Sequence, residues 1–243
     1  MATLESAEIL EVATGRSLLH YGPDVTPTRP GSTLKPFTLM ALLSAGLNPA
    51  KRLPCPQRLT IDGRRFDCTH PPIHSLDARE ALAYSCNNYF AAAVARLQPG
   101  ELARTLAAYG LVLRESGELR LAALGEDGIA VTPLELARAY RQLALGKNPV
   151  VHEGLALAAT VGTARLAGSA WAGKTGTAAS ANRISLQGWF AGWTPRVSPE
   201  HVIVVFLPVG RGASDAAPAA RRLYESWQRG ILHSRSSSAS AVR

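Results

Sequence analysis

Arg29-Pro30-Gly31-Ser32-Thr33-Leu34-Lys35-Pro36-Phe37 marks the point where a loop rich in Pro and Gly turns into a helix, and the chain reads outward from it. The loop begins near Gly22, and the apolar body Leu39-Met40-Ala41-Leu42-Leu43 carries the helix to about Gly46. A helix that is apolar all round belongs at the centre of a fold. Ser32 reads as its N-cap, and Lys35, one turn on, falls on the same face. A serine hydroxyl is a poor nucleophile until a neighbouring base takes its proton. The unpaired N–H groups of a first helical turn point at any negative charge that then develops. Pro36 fits, because a first-turn position donates no helical hydrogen bond. An isolated Ser-x-x-Lys is usually a cap followed by a solvated lysine. Here, however, 4 Lys stand against 22 Arg, so a cation that only has to be soluble is an Arg. Arg cannot lose its proton near neutral pH and a partly buried Lys can, which gives Lys35 a reason to be Lys.

At 243 residues and 47% hydrophobic content, the chain can bury one substantial core or a core with a satellite. One domain with two lobes is expected. The formal charge of +8 does not imply nucleic acid, since the arginines are scattered without a basic run or basic-aromatic interleaving. A basic protein facing acidic envelope polymers fits equally. No stretch reaches the roughly 18 apolar residues needed to span a membrane, and no basic-then-apolar export signal opens the chain as written. Of the three cysteines, Cys55 and Cys68 flank a compact polar loop. A Cys55–Cys68 disulfide with one free thiol is expected in an oxidising compartment, two reduced cysteines otherwise.

In order along the chain, Glu8–Ala13 and Arg16–Tyr21 read as strands joined at Thr14-Gly15, a hairpin signal. The Leu53–His74 stretch is Pro-rich and irregular, with a small hairpin around Asp62-Gly63. Asp77-Ala78-Arg79-Glu80 is a capping box that opens a helix. Polar residues in Tyr84-Ser85-Cys86-Asn87-Asn88-Tyr89-Phe90 then break the apolar pattern: either a turn between two helices presents Ser85 with Asn87, or they are exposed positions inside one helix. Helices are expected over Glu101–Tyr109, from Thr132-Pro133-Leu134-Glu135, and over Leu155–Leu166. Strands follow at Ala170–Thr177, Leu186–Trp193 and His201–Leu207, then a helix over Ala216–Gln228 capped by Ser214-Asp215. The tail 234–243 is Ser-rich and expected to be disordered. The sum is an α+β fold: an antiparallel sheet of about five strands, terminal helices on one face, the central helix on the other, and a mostly helical second lobe. The expected domain is 1–233, with the helical lobe at about 47–168 inserted in the α/β lobe.

Three short motifs stand in order: Ser32-Thr33-Leu34-Lys35, Ser85-Cys86-Asn87 and Lys174-Thr175-Gly176. With Pro30-Gly31, Asn88-Tyr89-Phe90, Thr132-Pro133-Leu134-Glu135-Leu136-Ala137 and Trp189-Phe190-Ala191-Gly192-Trp193-Thr194-Pro195, the chain resembles the transpeptidase domain of penicillin-binding proteins, in the superfamily shared with serine β-lactamases. The resemblance runs from about Glu8 to Trp227. A second Ser-x-Asn, Ser180-Ala181-Asn182, lies where the family has a connecting turn and reads as loop.

By this resemblance Ser32 attacks the carbonyl of a D-Ala-D-Ala stem peptide, or a β-lactam, and forms an acyl-enzyme. Lys35 takes the Ser32 proton, Ser85 relays it to the leaving amine, and Asn87 holds the substrate amide. Lys174 helps keep Lys35 neutral and attracts the terminal carboxylate, which Thr175 and Thr177 bind beside Gly176. The N–H groups of Ser32 and Thr177 form the oxyanion hole. No metal or organic cofactor is implied. Peptidoglycan stem peptides, β-lactams and cell-wall synthesis proteins are the implied partners, in the periplasm or cell envelope. The chain is short for the family, so a trimmed helical lobe and an open acceptor groove are expected. Without an export signal, anchor or partner domain, the expectation is a fragment, a displaced start or a non-catalytic member. A D,D-transpeptidase or carboxypeptidase is the leading reading; a serine β-lactamase and a non-enzymatic sensor or scaffold are the alternatives. Glu126 and Asp127 read as a solvated pair of loop acids.

Overall fold

The computed structural model describes residues 6–114, 117–180 and 182–232. The tail expected at 234–243 and Ala181 of the second Ser-x-Asn lie outside them. Nine strands, β1 (Ser6–Glu11), β2 (Ser17–Tyr21), β3 (Leu53–Pro54), β4 (Thr60–Ile61), β5 (Arg64–Arg65), β6 (Ser75–Leu76), β7 (Ala172–Ala179), β8 (Leu186–Thr194) and β9 (His201–Leu207), are described. So are eight α-helices: α1 (Lys35–Ser44), α2 (Ala78–Ala83), α3 (Asn87–Ala93), α4 (Glu101–Ala108), α5 (Leu119–Ala123), α6 (Pro133–Gly146), α7 (Pro149–Thr160) and α8 (Ala217–Gln228). Five strands form one antiparallel sheet in the order β2-β1-β9-β8-β7.

The central strand explains its own sequence. Val202, Val204 and Phe206 of β9 join one apolar cluster, and Ile203, Val205 and Leu207 join another on the opposite face. A strand buried on both sides reads as a continuous apolar run. Leu223 and Tyr224 of α8 cover the second face together with Ala158, Ala159 and Ala164. The expected pair of terminal helices is therefore a single one, because the described N-terminal segment is itself a strand. On the first face the helix against the sheet is α6, packed on β1, β8 and β9. Helix α1 lies one layer further in, against α2, α3, α4 and α7. It is buried nearly all round, as its composition requires.

Capping boxes close both helix starts that carry the signal, with Asp77 and Glu80 at α2 and Thr132 and Glu135 at α6. The small hairpin at Asp62-Gly63 is β4–β5. Two helices sit differently from expectation. The one sought at Leu155–Leu166 is α7, which starts at Pro149 with Asn148 as cap and ends before Gly162. A Cβ at Gly162 would meet Ala83 O at 2.2 Å, so the chain there is turning against α2, not continuing a helix. Ser214 and Asp215 do not cap α8: they belong to a π-helical turn, Gly212–Ala216, where Asp215 accepts from Arg211 N at 2.8 Å. Ser180 and Asn182 do occupy the turn between β7 and β8, bonded to each other at 2.7 Å.

The expected Cys55–Cys68 bridge is replaced by a Cys55–Cys86 disulfide, and Cys68 is a free, buried thiol 3.6 Å from the Cys55 sulfur. Spacing along the chain favoured the loop-closing pair. It carried no sign that Cys86, at the start of α3, folds back onto the same loop.

Candidate active site

Ser32 lies in a tight turn of 3₁₀ helix, Gly31–Leu34, that leads directly into α1. It is not the cap the sequence suggested. Its side chain bonds none of the helix N–H groups, so the hydroxyl stays available, half-buried and without a hydrogen-bond partner among the described residues. The turn is fixed by its backbone. Arg29 O accepts from Trp189 Nε1 at 3.0 Å, Pro30 O from Thr33 Oγ1 at 2.8 Å, Thr33 O from the Tyr140 hydroxyl at 2.8 Å, and Gly31 N donates to Gly125 O at 3.1 Å. Two glycines let these segments close. A Cβ on Gly125, at φ +75°, would meet Gly31 O at 2.2 Å, and one on Gly176 would meet Pro30 O at 2.4 Å. The backbone of Thr177 passes the same turn, its carbonyl 3.0 Å from the Cβ position of Gly31.

Lys35 opens α1 and is fully buried. Its Nζ lies 2.8 Å from Ser85 O, 3.1 Å from Ser85 Oγ and 2.5 Å from Asn87 Oδ1. Burial lowers the amine from its usual range to about 7, against the opposing influence of Cys68 and Glu126. Nζ donates in all three contacts, which a protonated amine fills with its three N–H bonds; loss of one proton leaves two N–H bonds and frees a lone pair. Ser85 itself sits at φ +58° in the turn between α2 and α3. The break in the apolar pattern is therefore the two-helix turn, and a non-glycine residue held there implies surroundings that over-determine it. Asn87 is committed on both sides, since its Nδ2 donates to Phe66 O at 2.8 Å. Its amide thus positions Lys35 in the free protein, with capacity for a second bond at each end.

Lys174 is also fully buried, its Nζ donating to Thr175 O at 3.0 Å. Burial, then the proximity of Lys35, lowers this amine well below the usual range. Lys35 owes its own shift to burial and not to Lys174. Two adjacent buried amines cannot both hold a proton cheaply. Thr175 and Thr177 alternate onto the opposite side of β7 from Lys174 and Gly176. Thr175 Oγ1 donates to Thr163 Oγ1 at 2.8 Å, and Thr177 Oγ1 accepts from Gly212 N at 2.9 Å. Thr163, on the loop after α7, has no motif around it and was missed.

Glu126 is the main correction. It is buried, 3.7 Å from Arg64, and desolvation raises its carboxyl to about 7, opposed by Arg64, Arg29, Lys35 and Arg183. It is therefore no solvated loop acid. Gly125 carries it in, because the backbone bond from Gly31 draws this loop under the serine turn. A cavity of about 770 Å³ between the 27–29 and 127–131 segments is lined by Arg29 and Asp127 but not by Ser32, Lys35, Ser85 or Lys174.

The three motifs thus converge: the turn bearing Ser32, the buried Lys35 with Ser85 and Asn87, and the Lys174 strand. Among solved structures, a peptidoglycan synthase complex that coordinates polymerization and crosslinking is similar at 24% identity and TM-score 0.79, covering 96% of this chain and 57% of that one. The penicillin-binding protein PBP2 of Helicobacter pylori in complex with MreC is similar at 14% identity and TM-score 0.82, covering 94% and 61%. Penicillin-binding protein A of Mycobacterium tuberculosis, as a ceftriaxone acyl-enzyme complex, is similar at 19% identity and TM-score 0.78, covering 92% and 74%. The chain spans about three fifths of the length of the first two. No curated protein sequence matches it. The family model for the penicillin-binding protein transpeptidase domain matches residues 9–225, nearly the whole of the described fold, and the chain belongs to that family.

Proposed function

We propose that the chain is a penicillin-binding D,D-transpeptidase or carboxypeptidase module acting through an acyl-enzyme on Ser32. The observation that carries this reading is the buried Lys35 amine, lowered to about 7 and held at the centre of the motifs by Ser85 O, Ser85 Oγ and Asn87 Oδ1. Ser32 Oγ attacks the carbonyl of D-Ala-D-Ala or of a β-lactam. Its proton passes to Lys35, and Ser85 returns a proton to the departing nitrogen, so the amide C–N bond breaks as the ester forms. The backbone N–H groups of Ser32 and Thr177 receive the oxyanion, a contribution of about 3 kcal/mol to the barrier. Lys174 meets the substrate carboxylate and takes up positive charge as that anion arrives. Thr175 and Thr177 bind the carboxylate by turning their hydroxyls from Thr163 and from Gly212 N. The substrate places the active module outside the cytoplasmic membrane, with cell-wall synthesis proteins as neighbours. Among the described residues no helix is long and apolar enough to cross a membrane.

Intact mass after incubation with penicillin, followed by peptide mapping, tests the assignment. One adduct on the peptide holding Ser32, absent in Ser32→Ala, is expected; an adduct elsewhere removes the reading.

A second reading, release of the acyl group to water as in a β-lactamase, is favoured by Glu126, a buried carboxyl raised to about 7 beside the serine turn. Nitrocefin in excess separates the two. A single stoichiometric step favours the transpeptidase, and steady turnover lost in Glu126→Gln favours hydrolysis. No colour change at all leaves the non-enzymatic scaffold.

A further inference from the structure

Behind the second catalytic motif, three cysteines and one histidine meet in the interior. Cys55, Cys68, His70 and Cys86 are all buried, and their sulfurs and a ring nitrogen lie within 4.8 Å of one another. We infer that in the thiol form these four side chains bind one zinc ion, as a structural site that anchors the Ser85-Cys86-Asn87 turn. The binding does not rest on the acyl-transfer reading; the effect on acylation does.

The distances suit a metal at the centre of the four. Tetrahedral zinc with sulfur at about 2.3 Å and nitrogen at about 2.0 Å sets its ligand atoms roughly 3.8 Å apart for two sulfurs and roughly 3.5 Å for sulfur and nitrogen. Cys55 and Cys68 sulfurs are 3.6 Å apart, Cys68 and Cys86 sulfurs 3.7 Å, and His70 Nε2 lies 3.2 Å from the Cys55 sulfur. The Cα atoms of Cys55 and Cys86 stand 7.0 Å apart, wider than the roughly 4.4–6.8 Å that disulfides usually span, so the backbone also accepts two separated sulfurs.

The surroundings prepare the donors. His70 Nδ1 lies 2.7 Å from Pro71 O, which can only accept. That places the ring proton on Nδ1 and leaves the Nε2 lone pair facing the sulfurs, the tautomer and the outer hydrogen bond that a metal-bound imidazole requires. Asn87 N donates to the Cys68 sulfur at 3.2 Å and Tyr89 N to the Cys86 sulfur at 3.3 Å. Asn88 Nδ2 adds a weaker contact to Cys68 at 3.7 Å. Three donors aimed at two sulfurs are what thiolates need and what uncharged sulfur uses poorly. Soft thiolates with one imidazole select zinc over calcium or magnesium, and four protein ligands close the site, which makes it structural.

The disulfide and the metal compete for the same sulfurs. Opening the Cys55–Cys86 bond takes two electrons and two protons, which a dithiol reductant supplies as it becomes a disulfide. Zinc then displaces the three thiol protons. Because Cys86 stands between Ser85 and Asn87, and Asn87 Nδ2 is tied to Phe66 O, the ion joins the hairpin segment to both partners of Lys35.

The test uses the whole chain, purified with a non-chelating reductant, loaded with zinc sulfate and dialysed. Elemental analysis is expected to give one zinc per chain, and cobalt chloride in its place the charge-transfer and visible bands of tetrahedral thiolate coordination. Cys68→Ser and His70→Ala are expected to lose the metal, while Ser32→Ala keeps it. Chelation is expected to slow labelling by fluorescent penicillin by roughly tenfold or more, the scale on which losing a site's outer support acts. No bound zinc together with no cobalt spectrum in the wild-type chain overturns the site, even if the variants fail to fold. So does zinc retained equally in folded Cys68→Ser and His70→Ala. Zinc bound by a chain that penicillin never labels keeps the site and removes the acyl-transfer reading.

Discussion

Lys35 is the residue whose chemistry depends most on where the fold puts it. Its amine is fully buried and lowered to about 7, so it is increasingly neutral above that pH and protonated below it. A protonated amine cannot accept the Ser32 proton. Acylation by a β-lactam is therefore expected to fall roughly tenfold per unit below pH 7 and to level off above it. Stopped-flow labelling across pH 5 to 9 checks this, and a rate that declines between 7 and 9 contradicts it. Lys35→Arg keeps the charge and removes the ability to lose it, so acylation is expected to drop by at least about a hundredfold with the fold retained by circular dichroism. The sequence supported this reading to a point. Scarcity of Lys singled out Lys35, and motif order singled out Ser85 and Lys174. Nothing in the chain showed that the hydroxyls of Thr175 and Thr177 are engaged elsewhere, or that Glu126 is buried. Those depend on Thr163, Gly212 and Gly31, which come from distant segments.

At the scale of elements, turns and caps were legible and the packing partners were not. Helix α6 announced itself through Thr132, Pro133 and Glu135, and the capping box is present in both directions. Thr132→Ala is expected to lower stability by about 1 kcal/mol in urea titration and to leave acylation unchanged, since Thr132 touches no group at Ser32. Gly125→Ala should behave differently. Its Cβ would stand 2.2 Å from Gly31 O at φ +75°, so both the strained backbone and the clash act on the serine turn. A loss of at least about 2 kcal/mol, with slower acylation of the fraction that remains folded, is expected from thermal melts and labelling kinetics. Helix α7 shows why pattern alone misplaced a boundary. Pro149 and Asn148 were a start signal further upstream, and Gly162 reads as an ordinary helix glycine until α2 is known to lie against it.

For the molecule as a whole, the sheet of five strands, its apolar central strand and the mostly helical block between α1 and β7 were readable from periodicity. The layer order was not, because α1 and α6 are both apolar enough to face a sheet and only the packed fold puts α6 there. The buried position of Glu126 bears on a whole-molecule question, the fate of the acyl group. The expected course with nitrocefin is one equivalent hydrolysed quickly and then a flat trace, and with Ser32→Ala no step at all.

The serine turn also has a consequence for how the chain acquires activity. Arg29 is held by Trp189, Gly31 by Gly125, Thr33 by Tyr140, and Gly176 lies against Pro30, so each of these ties joins segments far apart in the chain. Contacts this distant in sequence close late, after the local helices and hairpins have formed. Covalent labelling by penicillin is then a reporter of completed folding. On dilution from denaturant, helical signal should recover before the protein regains the capacity to be labelled. A chain truncated before β8 should be helical yet unreactive, because it lacks the Trp189 that holds the loop in front of Ser32.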